Sequence, residues 1–120
     1  MDKEVLTIYV DIDDTICKTN GMDYPGSAPI MANIEKVNQL YDEGHTIVYW
    51  TARGQKSGID WTELTRGQLE RWGAKYHDLK LTKPPYDVFI DDKVVNSRDW
   101  EKGRWLEKWI DKWEDKPQER

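Results

Sequence analysis

The stretch that decides the reading is LTIYVDIDDTIC, residues 6–17. Leu6, Ile8, Tyr9 and Val10 form an almost unbroken apolar run. Asp11, Asp13 and Asp14 then follow within four positions. Crowded carboxylates repel one another, and none is at home in an apolar interior. A buried strand that ends in so much negative charge calls for something positive at its tip.

Further strands are predicted outward from this one. They are residues 46–50 (TIVYW), 87–90 (DVFI) and, more weakly, 76–79. Such short runs, apolar on alternate faces, suit a parallel sheet covered on both sides. Helical spacing separates them. Ile30, Ile34, Val37, Leu40 and Tyr41 share one face, with Pro29 near the start and Gly44 past the end. A second helix is predicted from Asp60, with Glu63 as a capping-box partner, to a stop at Gly73. A third carries Trp105, Leu106, Trp109, Ile110 and Trp113. Gly67 and Gly103 interrupt the second and third patterns. Alternating strands and helices predict an α/β fold: a three-layer, Rossmann-like, mostly parallel sheet with right-handed crossovers and helices on both faces.

The chain has 120 residues, which predicts one domain over 1–120 with a frayed tail at 114–120. A net charge of −5 argues against nucleic acid and anionic membranes as partners. Cys17 is the single cysteine, so no internal disulfide forms. With no signal-like start and no apolar run of spanning length, the expectation is a soluble, cytoplasmic protein.

In open α/β sheets, ligands gather at the carboxyl ends of the strands. After the first strand come Asp11, Asp13, Asp14 and Thr15. After the second come Thr51, Ala52, Arg53 and Gly54. Lys83 precedes the last strand, and Asp91, Asp92 and Lys93 follow it. Acids at these positions suit a hard, octahedral cation such as Mg2+. Asp14 alone reads as a helix N-cap or first-turn acid. Arg53 reads either as a contact to a substrate anion or as a surface salt bridge. Lys83 is preferred over Lys80 and Lys93 because two prolines stiffen the loop behind it. His45 and His77 read as loop or surface residues, and Cys17 as a small packed side chain.

YVDIDDT, IVYWT, the lysine of TKPP and VFIDD, in that order, resemble the four motifs of the haloacid dehalogenase superfamily of Asp-dependent phosphohydrolases. The pattern TARG…KP.YDVFIDDK is similar, more loosely, to small capless members around capsule and polysaccharide biosynthesis. The resemblance implies a phosphomonoester hydrolase acting on a small phosphorylated metabolite, such as a sugar phosphate or polysaccharide precursor. It implies Asp11 as nucleophile and Asp13 as acid and base, with a raised pKa. Thr51 and Lys83 would bind the phosphoryl oxygens, and Lys83 would also hold Asp11. Asp11, the Asp13 carbonyl and Asp91 would hold Mg2+, with Asp92 bonded to a ligand or standing in as the alternate one. Gly is common in the family where this chain has Asp14, a residue that tolerates unusual backbone angles.

The segments between motifs are too short for a cap domain. Loop residues Lys18, Asn20 and Tyr24 are the remaining candidate substrate contacts, on a flap over the site. A homo-oligomer built on the Trp-rich late segment is the other candidate closure. Two other readings compete with a phosphatase. A receiver-like phosphoacceptor would use Asp13 and Asp14, but needs an aspartate where Thr51 stands. A catalytically inactive binding module would keep the fold without turnover.

Overall fold

The computed structural model describes residues 4–103. In chain order the elements are β1 (Thr7–Val10), β2 (Cys17–Lys18), a 3-10 turn at Tyr24–Gly26, β3 (Ala28–Pro29), α1 (Met31–Asp42), β4 (Thr46–Trp50), α2 (Thr62–Arg71), β5 (Asp78–Lys80) and α3 (Ser97–Glu101). They fall into two units, one running to Tyr86 and one beginning at Asp87. The third predicted helix and the tail lie outside the described residues.

The first unit is α/β, with a parallel sheet ordered β1-β4-β5. Thr7 pairs with Thr46, and Val48 with Asp78. The sheet centres on β4, where Ile47, Val48 and Tyr49 are buried. Asn33, Ile34, Val37 and Leu40 form the buried stripe of α1. Gly44, at φ 103°, takes the left-handed turn that leads from α1 toward β4. Ile12 and Ile16 complete the core just beyond β1. The predicted bounds of β4 are those observed. The weak strand shifts to Asp78–Lys80, and Gly67 stays inside α2. Among the described residues, no helix is long and apolar enough to cross a membrane.

One prediction needs correction. Residues 87–90 form no strand. They open the second unit with Val88 and Ile90 at 74% and 91% exposure. A run this short becomes a strand only where a neighbour pairs with it, and propensity alone does not supply one. His45 and His77 stand just before β4 and β5, outside the strands as predicted, and His77 is exposed. His45 Nδ1 accepts from the Leu6 N–H at 3.1 Å, and His77 Nδ1 from the Ile47 N–H at 3.1 Å. The His77 ring also stacks on Tyr41, with centroids 4.7 Å apart. In the second unit, Asn96 caps α3 by accepting from the Arg98 N–H, and Gly103, at φ 75°, follows its end.

The Tyr49 hydroxyl is buried with no hydrogen-bond partner among the described residues, and burial pushes its pKa up. Leaving such a group unsatisfied costs about 1–3 kcal/mol. Tyr49→Phe is therefore expected to match or exceed wild-type stability, read as an unchanged or higher urea midpoint at constant m. A lower midpoint would show that the hydroxyl has a partner in solution.

Candidate active site

The first aspartates sit on a turn, with no helix behind them. The N–H groups of Thr15 and Ile16 both donate to the Ile12 carbonyl, at 3.1 and 2.9 Å. Asp14 is the one described non-glycine residue at positive φ, 64°, and its N–H donates to the Cys17 carbonyl at 2.7 Å. The N-cap reading of Asp14 is thereby corrected. The chain leaves this turn into the β2–β3 hairpin, where Cys17 pairs with Pro29 and Lys18 with Ala28.

Each remaining aspartate has its own cation. Lys83 Nζ stands 3.2 Å from Asp11 Oδ1. The Thr15 hydroxyl donates to Asp11 Oδ2 at 3.3 Å. Burial pushes the Asp11 carboxyl up, against the opposing pull of Lys83 and of the Ile12 N–H. Lys83 itself lies between the Trp50 and Tyr86 rings, 5.8 and 5.4 Å from their centroids. Its N–H donates to the Thr51 carbonyl at 3.1 Å, which ties two of the predicted motifs together. Lys80 instead reaches the Tyr9 hydroxyl at 3.1 Å, and Lys93 belongs to the second unit.

Asp13 is gripped by Arg53. Arg53 Nε donates to Oδ2 at 3.1 Å and Nη2 to Oδ1 at 2.8 Å. The Thr19 hydroxyl adds a 2.6 Å bond to Oδ1. Burial alone would raise the Asp13 carboxyl. The hydrogen bonds from Arg53 and Thr19, with the Arg53 charge, outweigh it and hold the group below the usual carboxylate range. The expected raised pKa is therefore found at Asp11 and not at Asp13, because the desolvated pocket around Asp13 comes with a paired guanidinium.

Arg53 is neither of the things its sequence suggests. Its side chain is 0% exposed, so it is neither a surface salt bridge nor open to a substrate anion. Nη1 donates to Thr65 Oγ1 at 3.0 Å and to Gln68 Oε1 at 2.6 Å. Nη2 also donates to Ser27 Oγ at 3.3 Å, and the guanidinium lies 4.8 Å from the Tyr24 ring centroid. Tyr24 is thus packed between Arg53 and Trp61, whose ring centroid is 5.3 Å away. Its hydroxyl is raised by burial and by Asp13. Lys18 and Asn20 are exposed. Thr51 is buried, and its Oγ accepts from the Arg53 N–H at 3.1 Å. Its own hydroxyl proton remains a donor.

Asp91 and Asp92 lie in the second unit, exposed. A hydrogen bond with Asp92 lowers the Asp91 carboxyl, and Asp91 Oδ1 accepts from the Lys93 N–H at 3.4 Å. Among the described residues, no group of three or more His, Cys, Asp or Glu side chains gathers as a ligand set. The oxygen donors at Asp11 nonetheless fit Mg2+, which is usually held by one or two carboxylates, with water and substrate phosphate completing the octahedron.

The reading from sequence named Thr15 at the strand end but missed Thr19, Ser27, Thr65 and Gln68 as parts of this network. The signal for Thr65 and Gln68 was present: two polar residues beside Leu69 on the inner face of an otherwise weakly apolar helix. Thr19 and Ser27, 2.6 Å apart, meet through the hairpin and carry no local signal.

The fold has a solved counterpart. The chain is similar to the crystal structure of an MCSG target from Vibrio cholerae, with a TM-score of 0.74 and 22% identity, covering 92% of this chain and 98% of that one. At that identity the likeness speaks for the fold alone. No family model matches the chain, and no curated protein matches it.

Two backbone positions frame the site. Gly54 has φ 85°, and a Cβ there would run into the Ile59 carbonyl. Gly54→Ala is expected to cost about 1–3 kcal/mol, while Asp14→Gly is expected to be neutral or to stabilise by up to about 1 kcal/mol. Thermal melting of both variants checks this. A destabilised Asp14→Gly would mean that the Asp14 side chain does more for the turn than its strain costs.

Proposed function

We propose that this chain is a Mg2+-dependent phosphomonoester hydrolase of the haloacid dehalogenase type, with a Rossmann-like fold and no cap. The observation that carries the reading is the Lys83–Asp11 contact of 3.2 Å beside an Asp13 held by Arg53. A carboxylate with a lysine on one oxygen and a hydroxyl on the other is positioned and still 37% exposed. That is what a nucleophile toward a phosphoryl group requires. The substrate class is a small phosphorylated metabolite such as a sugar phosphate, and a cytoplasmic setting goes with the free, buried Cys17.

In the first half-reaction an Asp11 oxygen attacks phosphorus. The bond from phosphorus to the leaving oxygen breaks, and Asp13, as the carboxylic acid, gives that oxygen a proton. The alcohol departs and an aspartyl-phosphate remains. In the second half-reaction water attacks phosphorus, the Asp13 carboxylate takes the water proton, and the bond from phosphorus to Asp11 breaks, releasing inorganic phosphate. Arg53 holds Asp13 as a carboxylate in the free protein, so the first proton comes in with a phosphomonoester monoanion, whose second pKa is about 6. Lys83 and Thr51 would bind phosphoryl oxygens. The Asp11 carboxylate and the Asp13 carbonyl would hold Mg2+, and the resemblance implies Asp91 as a further ligand with Asp92 as its alternate. When bound, the cation supplies charge that offsets the burial of Asp11 and neutralises phosphoryl oxygens.

Incubation with p-nitrophenyl phosphate, with Mg2+ and with EDTA, tests the reading. Mg2+-dependent release of nitrophenolate is expected. Asp11→Asn should abolish it, and Asp13→Asn should lower turnover of alkyl phosphates by about 10²-fold or more. Stoichiometric phosphorylation without turnover would instead favour a receiver-like domain, and no reaction at all an inactive binding module.

The lysine assignment is tested separately. Lys83→Ala is expected to lose both rate and binding, because it leaves Asp11 without its cation. Lys80→Ala and Lys93→Ala should keep wild-type kcat. An active Lys83→Ala would move the phosphate-site role to another residue.

A further inference from the structure

We propose that Arg53 is a positioning residue that fixes the plane of the Asp13 carboxylate and leaves Oδ2 as the oxygen that handles the proton; the proposal rests on the phosphatase reading. The argument begins with geometry. Two N–H groups of one planar guanidinium meet the two oxygens of one carboxylate, at 3.1 and 2.8 Å. Such a fork sets the carboxylate plane as well as its position. The guanidinium cannot swing outward. Thr65 and Gln68 hold it from α2, Ser27 holds it from the hairpin, and the Tyr24 ring covers it. With its side chain wholly buried, Arg53 acts on a substrate only through Asp13.

The two oxygens of Asp13 are then unequal. Oδ1 accepts from Arg53 Nη2 and Thr19 Oγ1, and Cys17 Sγ approaches it at 3.7 Å. Oδ2 accepts from Arg53 Nε among the described residues. A carboxylate oxygen has two lone pairs. Oδ1 has its capacity filled, and Oδ2 keeps one for the proton that passes to the leaving oxygen and later comes from water. The side chain of Asp13 is 25% exposed, so such a proton can reach it.

The arrangement is costly for stability alone. Buried ion pairs can often be replaced by apolar side chains of similar volume at no loss. Here the pair also demands a threonine and a glutamine on the inner face of α2. Control of one carboxylate accounts for that outlay.

The test uses leaving groups. Protonation of the leaving oxygen matters for an alkyl phosphate and little for p-nitrophenyl phosphate, whose phenolate departs unaided. Arg53→Met and Arg53→Lys are compared with wild type on both esters, with circular dichroism and melting as the check on folding. For the alkyl ester kcat is expected to fall by about 10²-fold or more, with far less loss on p-nitrophenyl phosphate and KM little changed on either. Arg53→Lys keeps the charge and loses the fork, so it should recover only part of the alkyl rate. Thr65→Val with Gln68→Leu leaves the Arg53–Asp13 pair intact while removing its support. It should give the same selective loss, smaller, and decides the matter if the Arg53 variants do not fold. Equal losses on both esters would overturn the proposal, as would a raised KM at unchanged kcat, which would mark a substrate contact. A wild-type protein inactive on both esters would overturn the phosphatase reading itself.

Discussion

The first unit is organised around one buried guanidinium. A cation without water needs an anion and a full set of acceptors, and each acceptor has to be supplied by some element of the fold. Asp13 supplies the anion from the turn after β1. Thr65 and Gln68 supply acceptors from α2, and Ser27 from the hairpin. Gln68 then turns its amide N–H to the Tyr24 carbonyl at 2.7 Å, fastening the 3-10 turn to the same helix. The tight bend at Gly54 is part of this constraint. Arg53 has to leave the end of β4 and turn inward, and the Ile59 carbonyl closes the space on the next residue. The weak apolar character of α2 follows too, since two of its three buried residues, Thr65 and Gln68, serve a charge.

The two carboxylates of the opening motif are separated by environment more than by distance. Asp11 has a lysine on a flexible stem and partial solvent exposure, and burial dominates its titration. Asp13 has a rigid fork and a hydroxyl, which together with the Arg53 charge outweigh burial and hold it low. A pair of acids pushed in opposite directions is the pattern that divides nucleophile from proton carrier in other hydrolytic sites. In the free protein Asp13, held low, is in the state that the second half of the proposed reaction requires. The state for the first half depends on charge that arrives with the substrate and the cation.

Much of the sheet was legible because β4 and α1 carry strong, local signals. TIVYW is apolar throughout, and residues 30–44 combine helical spacing with a terminal glycine. The site was legible where one residue contacts its partner through loops of fixed length, as Lys83, which two prolines follow, does with Asp11. Arg53 was misread because nothing local distinguishes a buried arginine from an exposed one. Its burial depends on Thr65, Gln68 and Ser27, each a dozen or more positions away. Residues 87–90 were misread for the converse reason. A local strand signal is realised only by a partner strand, and propensity is silent about where one lies.

The fixed hairpin changes how the open site has to be understood. A loop of residues 17–29 without a cap looks like a flap free to open and close. Yet Thr19 is bonded to Asp13 at 2.6 Å and to Ser27 at 2.6 Å, Ser27 accepts from Arg53, and the Tyr24 carbonyl is held by Gln68. Lifting the loop would strip Asp13 of the Thr19 hydroxyl and Arg53 of one acceptor and its aromatic cover. The loop and the acid therefore move together or not at all. In the proposed phosphatase a substrate filling the mouth would exclude water over Asp11, and Lys18 and Asn20 are exposed on the hairpin and the turn beyond it.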